Sequence, residues 1–308
     1  MEIKRVHFIG LGAIGLKYAA RIHDVDPALV RVIASPARIA RLQATPPTVN
    51  GSPYHFEYLR PDEPAADGPA DLIFVAVKWR HLSEALDDMR GFVGDNTAII
   101  SLMNGIASEE VIAREFGRER VIYANVYMDA VRSGHAVTYR DIGRIVFGEE
   151  NNTVVSPRVQ AIEALFAKAH IPSTVPADML RAHWAKFMLN VGINQASAVL
   201  RAPYGTFRTN PHARELMVAA AREVLEISRR AGVGLDESDV ERFLAIIDSV
   251  DPAGKTSMLQ DVEGHRETEV DIFAGTVVDL GERYGVPTPV NRTLLTIIRA
   301  IDAGVNQA

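Results

Sequence analysis

Short, nearly unbroken apolar runs alternate with helical patterns over the first hundred residues. Val6-His-Phe-Ile9 leads into Gly10-Leu-Gly12-Ala-Ile-Gly15, and an apolar period of 3.6 continues from Ala13 to about Ile22. Val30 to Ala34 reads as a second strand, Pro36 to Leu42 as a short helix, and Tyr54 to Leu59 alternates as a strand does. Arg60 to Pro69, rich in Pro, Asp and Ala, reads as a surface loop. Asp71-Leu-Ile-Phe-Val-Ala-Val77 is apolar almost throughout, the pattern of a strand covered on both faces of a parallel sheet. Leu82 to Met89 is helical in period and Thr97 to Leu102 is another buried strand. This alternation predicts an α/β domain with a doubly wound sheet.

Further along, the pattern changes twice. Val121 to Gly148 is β-rich, with strands expected at His135 to Tyr139 and Arg144 to Phe147; Ser156 to Ala169 is a helix with Pro157 in its first turn. Beyond Ala177 the helical period dominates, over Met179–Leu200, Pro211–Ala231, Glu237–Ile247, Gly264–Tyr284 and Asn291–Ala303. The expected division is residues 1–175 as the α/β domain and 176–308 as an all-α domain, joined near residues 170–178.

Composition narrows the function. The chain has 308 residues, 47% hydrophobic and 23% charged, ordinary values for a globular protein. A net charge of -6 leaves no basic excess for nucleic acid. The apolar runs are too short to span a membrane, and Lys4 and Arg5 lead into a short strand rather than a signal peptide, so a cytoplasmic location is expected. With no cysteine, and nine histidines none of which has metal-helix spacing, no metal site is expected. The apolar faces of the helical half are either packed internally or shared with a second copy in a homodimer.

Five groups of residues carry candidate chemistry. Gly10-x-Gly12-x-x-Gly15 follows a strand and opens a helix, which is the setting a dinucleotide pyrophosphate requires: a tight turn, close backbone approach, and unpaired N–H groups at a helix start. Leu11, Ala13 and Ile14 complete the loop. After the second strand stands Ala34-Ser35-Pro36-Ala37-Arg38, with no carboxylate to meet a ribose 2′-hydroxyl. Ser35 and Arg38 suit a 2′-phosphate and hence NADP, or else are solvated residues of a surface helix. Lys78 and Asn104-Gly105 follow two buried strands, at the end where such sheets bind ligands. Finally, Lys186, Asn190 and Asn194 lie four residues apart among apolar neighbours, one stripe of a helix that holds either satisfied amides or a site. A second polar cluster, Lys255 to Asp261 and Arg266 to Asp271, contains Ser257 and Glu269; Ser and Thr there suit a helix cap, and Asp271 a pairing with Arg266 or a neighbour.

Taken in order, Gly10-Leu-Gly12-Ala-Ile-Gly15, Val77-Lys78, Asn104-Gly105, Lys186-x3-Asn190-x3-Asn194, Ser257-Met-Leu-Gln-Asp261 and Thr268-Glu-Val-Asp271 resemble the ketopantoate reductase (2-dehydropantoate 2-reductase) family. The resemblance runs through nearly the whole length. It implies a Rossmann-type NADP-binding domain followed by a 6-phosphogluconate-dehydrogenase-like helical domain. It also implies an oxidoreductase in which NADPH gives its hydride to the ketone of 2-dehydropantoate, making pantoate for pantothenate and coenzyme A. By position, Lys186 resembles the proton donor, Asn190, Asn194 and Ser257 the substrate holders, and Asn104 a contact to both substrate and cofactor. Glu269 resembles the carboxylate near the lysine and the nicotinamide ribose, Lys78 a cofactor contact, and Ala130 a backbone contact to the cofactor. The chain departs from the family pattern at Ser35, where an Arg is frequent, and at Tyr204, where some members have Asn. Two other functions share the motifs: reduction of a different branched 2-keto acid, and an NADP-responsive binding protein without catalysis. A sensor would need only the nucleotide site, so Lys186, Asn190, Asn194 and Glu269 argue for an enzyme.

Overall fold

A computed structural model describes residues 2–63, 68–127 and 130–305. Residues 64–67 of the expected loop at Arg60 to Pro69 lie outside the described residues. The chain divides into two compact units, Met1–Met103 with Ser108–Leu180, and Asn104–Ala107 with Arg181–Ala308.

The first unit holds the strands β1 (Val6–Ile9), β2 (Val30–Ile33), β3 (Thr48–Val49), β4 (Ser52–Pro53), β5 (Glu57–Leu59), β6 (Leu72–Val75), β7 (Ala98–Ser101), β8 (Val121–Tyr127), β9 (Val131–Ser133), β10 (Ala136–Thr138), β11 (Arg144–Gly148) and β12 (Ser173–Thr174). Eight form one sheet in the order β12-β11-β8-β7-β6-β1-β2-β5, parallel except where β8 meets β11. The continuous apolar runs become its centre: every residue of β1, β6 and β7 is buried. Val6 to Ile9 pair in register with Val30 to Ile33 on one side and Leu72 to Val75 on the other. Strand order therefore reverses beside β1, and the doubly wound sheet is borne out. Helices α1 (Ala13–His23), α2 (Pro36–Ala44), α3 (Leu82–Met89), α4 (Ala107–Phe116) and α5 (Pro157–Lys168) alternate with the strands. Phe8 stacks on Phe74 at 4.7 Å between ring centres, and Phe166 of α5 meets the edge of Phe147 at 5.0 Å.

Two features differ from the sequence expectation. Only Glu57–Leu59 of Tyr54 to Leu59 is a strand, because just these residues run beside Arg31 to Ile33. The preceding Thr48 to Pro53 instead forms a tight hairpin that pairs with β10, giving a second sheet in the order β4-β3-β10-β9. Lys17 is fully buried on α1, where its ammonium donates to the Asp141 carbonyl at 3.0 Å and lies 4.1 Å over the Tyr139 ring.

The second unit is helical: α6 (Met179–Leu200), whose first two residues belong to the first unit, α7 (Thr206–Thr209), α8 (Pro211–Arg230), α9 (Glu237–Ser249), α10 (Ser257–Glu263), α11 (Thr276–Tyr284) and α12 (Pro289–Val305). The expected helix from Gly264 to Tyr284 begins late. Residues 264–269 are not helical, Asp271–Gly275 is a π-helical turn, and α11 follows it. Gly264 instead ends α10, donating to the Gln260 carbonyl. Asp271 pairs with Arg299 at 2.7 Å, while Arg266 pairs with Asp261. α12 starts at Pro289 and takes its cap from another helix: Glu223 of α8 accepts the backbone N–H groups of Val290 and Asn291 at 2.8 and 2.9 Å.

α9 begins with a capping box in which Asp236 accepts from Ser238 N–H and Asp239 accepts from Asp236 N–H. The Ser238 hydroxyl and Arg181 hold the Asp236 carboxyl down from its ordinary 3.8 to about 2. A lowered folded-state pKa contributes stability that is present above about pH 4 and is lost as the pH falls toward about 2. An Asp236→Asn variant keeps a capping oxygen without the charge, so it should lose less stability over that interval than the parent. Equal losses in acid unfolding curves would contradict this.

Candidate active site

In the first unit, the glycine loop connects β1 to α1 directly beside the chain leaving β6. Gly10 has φ +93°, and a Cβ there would stand 2.4 Å from the Ala76 carbonyl oxygen. A Cβ on Gly15 would lie 2.2 Å from the Gly10 oxygen and 2.8 Å from the Ala76 Cβ, so α1 closes onto the strand only without one. Gly12 differs: its Cβ would meet only the Ala76 oxygen, at 3.6 Å, an ordinary contact. The first helical hydrogen bond runs from Leu16 N–H to the Gly12 carbonyl, and no side chain caps α1 or places an acid in its first turn. Ala13, Ile14 and Gly15 therefore present backbone N–H groups to an anion. The loop has the open cradle and the donors that a dinucleotide pyrophosphate requires.

The other first-unit candidates are placed by the elements they adjoin. Ser35 precedes α2 with an exposed side chain that makes no capping bond, and Arg38 is half-buried in the first turn of α2. Lys78 is exposed beyond the carboxyl end of β6, and Ala130 is half-buried just before β9. One neighbour carries no signal in the sequence: Arg132 of β9 donates through Nη1 to the Leu11 carbonyl at 2.9 Å. Those residues are 121 positions apart. Only the pairing of the small sheet brings them together.

In the second unit, α6 is buried nearly all round, and its half-exposed positions, including Lys186 and Asn190, fall on one face. Asn194 continues that stripe into the interior at 6% exposure. The helix sorts its polar residues. Gln195, fully buried, donates to the Val191 carbonyl and to Asn291 Oδ1, joining the Glu223 network, while the lysine stripe faces the other way. Trp184 meets Phe187 edge-on at 6.3 Å on the buried side of the helix.

The same unit joins two candidates that are far apart in sequence. Asn104 Nδ2 donates to Glu269 Oε2 at 3.3 Å. Gly105 makes this approach possible: it has φ +88°, and its Cβ would come within 3.1 Å of the Ile272 carbonyl oxygen of the π-turn. Glu269 is held from behind, since Thr268 donates from N–H and Oγ1 to Asp302 of α12 at 3.1 and 2.8 Å. Ser257 is exposed at the first position of α10, whose cap is Thr256, accepting from Leu259 N–H at 3.1 Å. Asp302 carried no signal in the sequence. A Thr before Glu269 was visible, but its acceptor 34 residues away was not.

Comparison with known proteins covers both units. Residues 6–152 match the family model "Ketopantoate reductase PanE/ApbA", and residues 178–302 match "Ketopantoate reductase PanE/ApbA C terminal". A 2-dehydropantoate 2-reductase of Archaeoglobus fulgidus is 28% identical over 312 residues, spanning 99% of this chain and 100% of its own. The crystal structure of a 2-dehydropantoate 2-reductase from Geobacter metallireducens superposes with a TM-score of 0.80 at 26% identity, over 96% of this chain and 99% of that one. D-mandelate dehydrogenase, solved with NADH and anilino(oxo)acetate, shares the fold at a TM-score of 0.87 and 19% identity, over 98% of this chain and 99% of that one. With both family models matched in order over nearly the whole length, the chain belongs to the ketopantoate reductase family.

Proposed function

We propose that this protein reduces 2-dehydropantoate to pantoate with NADPH, the step that feeds pantothenate and coenzyme A synthesis. The observation that carries the reading is the pairing of Asn104 with Glu269 in the unit whose long helix bears Lys186, Asn190 and Asn194. The nicotinamide cofactor, cradled at Gly10 to Gly15, supplies the hydride that the ketone carbon receives. Lys186 Nζ donates its proton to the carbonyl oxygen as negative charge develops there, and its ammonium stabilises that charge beforehand. Asn190 and Asn194, with the Ser257 hydroxyl, hold the carboxylate and hydroxyl of the substrate. Asn104 orients substrate and cofactor together, its amide fixed by Glu269, whose other acceptor sites serve the ribose hydroxyls. Lys78 and the backbone of Ala130 hold the cofactor further out, and Ser35 and Arg38 meet its 2′-phosphate.

The fold shared with D-mandelate dehydrogenase and the half-buried Tyr204, packed on Gly254, favour one second reading: another 2-keto acid reduced by the same groups. Steady-state NADPH oxidation over a panel of 2-keto acids separates the two. The first reading expects 2-dehydropantoate to give the highest kcat/KM by at least about tenfold, since one good polar contact to the substrate hydroxyl supplies that much. A larger kcat/KM for an acid without that hydroxyl overturns it.

A further inference from the structure

Two cations of the first unit, Arg38 and Arg132, form no ion pair with a carboxylate among the described residues. Arg132 uses Nε to donate to the Gly134 carbonyl at 3.0 Å and Nη1 to donate to the Leu11 carbonyl at 2.9 Å. These bonds account for two of the five guanidinium N–H groups and fix its plane against the middle of the glycine loop. Nη2 makes no hydrogen bond to any described residue. Arg38 lies near enough to act on it by charge: burial, and then Arg38, push Arg132 below the ordinary arginine value, and no carboxylate of the described residues offsets them. Two guanidiniums within charge range of each other, with no acid among the described residues to offset them, favour an anion between them.

Position narrows the anion. Arg38 follows β2, whose carboxyl end meets the adenosine ribose in doubly wound nucleotide folds. Arg132 borders Leu11, between the glycine that makes the turn and the glycine that faces the pyrophosphate. The adenosine ribose of a bound dinucleotide belongs beside the first and its pyrophosphate beside the second. Ser35, where an arginine is frequent in the family resemblance, offers only an exposed hydroxyl, so one cation of the usual kind is missing from the end of β2.

We propose that Arg132 replaces it, reaching from the small sheet to form with Arg38 a two-guanidinium seat for the 2′-phosphate of NADP. The proposal rests on the dinucleotide reading of the first unit. Because two hydrogen bonds already orient Arg132, Nη2 meets a phosphate oxygen with little further loss of side-chain freedom.

Equilibrium binding of NADPH and NADH to the whole protein, without substrate, tests this. Arg132→Gln and Arg38→Ala should each weaken NADPH binding about 10- to 100-fold, the worth of a charge-assisted hydrogen bond, and change NADH binding less than about threefold. Arg132→Lys, which keeps the charge, should fall between Arg132→Gln and the parent. An equal loss of both nucleotides in Arg132→Gln would make the residue a brace for Leu11 and overturn the proposal. So would an unchanged NADPH-to-NADH ratio in both variants. A parent protein that binds neither nucleotide overturns the proposal together with the reading beneath it.

Discussion

Lys186→Ala should lower turnover of 2-dehydropantoate by about 10²- to 10⁴-fold, the range for loss of a positioned proton donor. NADPH affinity should stay within about twofold of the parent, because Lys186 belongs to α6 of the second unit and the glycine cradle to the first. The ammonium stands on the half-exposed face of a helix otherwise built for burial, with Asn190 one turn along it. A lysine kept there for stability alone would be a poor choice, since a methionine of similar length would pack at less desolvation cost. The variant should also melt close to the parent. Turnover near the parental rate would remove Lys186 from the chemistry, and a collapse in melting temperature would make its role structural.

Replacing the loop glycines should separate binding from folding. Gly12→Ala places a methyl at an ordinary 3.6 Å from its nearest protein atom, so stability should hardly move. That methyl occupies the space a pyrophosphate needs, and nucleotide affinity should drop at least about 100-fold, the loss of two or more charge-assisted bonds. Gly15→Ala drives a methyl to 2.2 Å from the Gly10 oxygen, and Gly10→Ala adds a positive φ to a contact of 2.4 Å. Both should lose at least about 1–3 kcal/mol of stability as well as binding, seen as melting temperatures lowered by several degrees. If Gly12→Ala bound nucleotide normally, the cradle would not be a phosphate site. If Gly15→Ala melted with the parent, the close packing of α1 on β6 would not matter.

How far the sequence could be read follows from the range of the forces involved. β1 and β6 were visible because burial on both faces leaves an unbroken apolar run, and α6 because a mainly apolar stretch of 22 residues without a proline is too long for a strand. The glycine loop was legible because turn, close approach and helix start all fall within six residues. Pairings between distant segments left no such trace. The hairpin at Thr48 to Pro53 consists of two-residue strands, too short for alternation, and exists because β10 lies beside it. The π-turn at Asp271–Gly275 carries the same apolar pattern as an α-helix, so Gly264 to Tyr284 read as one helix. Asn104 stood out at a strand end and Lys186 among apolar neighbours, whereas Glu269, inside a polar cluster, drew its role only from the family resemblance. Asp302 behind Thr268, and Arg132 over Leu11, are ordinary surface residues until the fold brings their partners to them.

Hydride delivery from the cofactor to the ketone carbon is the central claim, and isotope transfer measures it most directly. The protein, incubated with 2-dehydropantoate and NADPH carrying deuterium at both C4 positions of the nicotinamide, should yield pantoate with one deuterium at C2 for each NADPH consumed. Pantoate free of deuterium, or NADPH consumption without pantoate, would contradict the account.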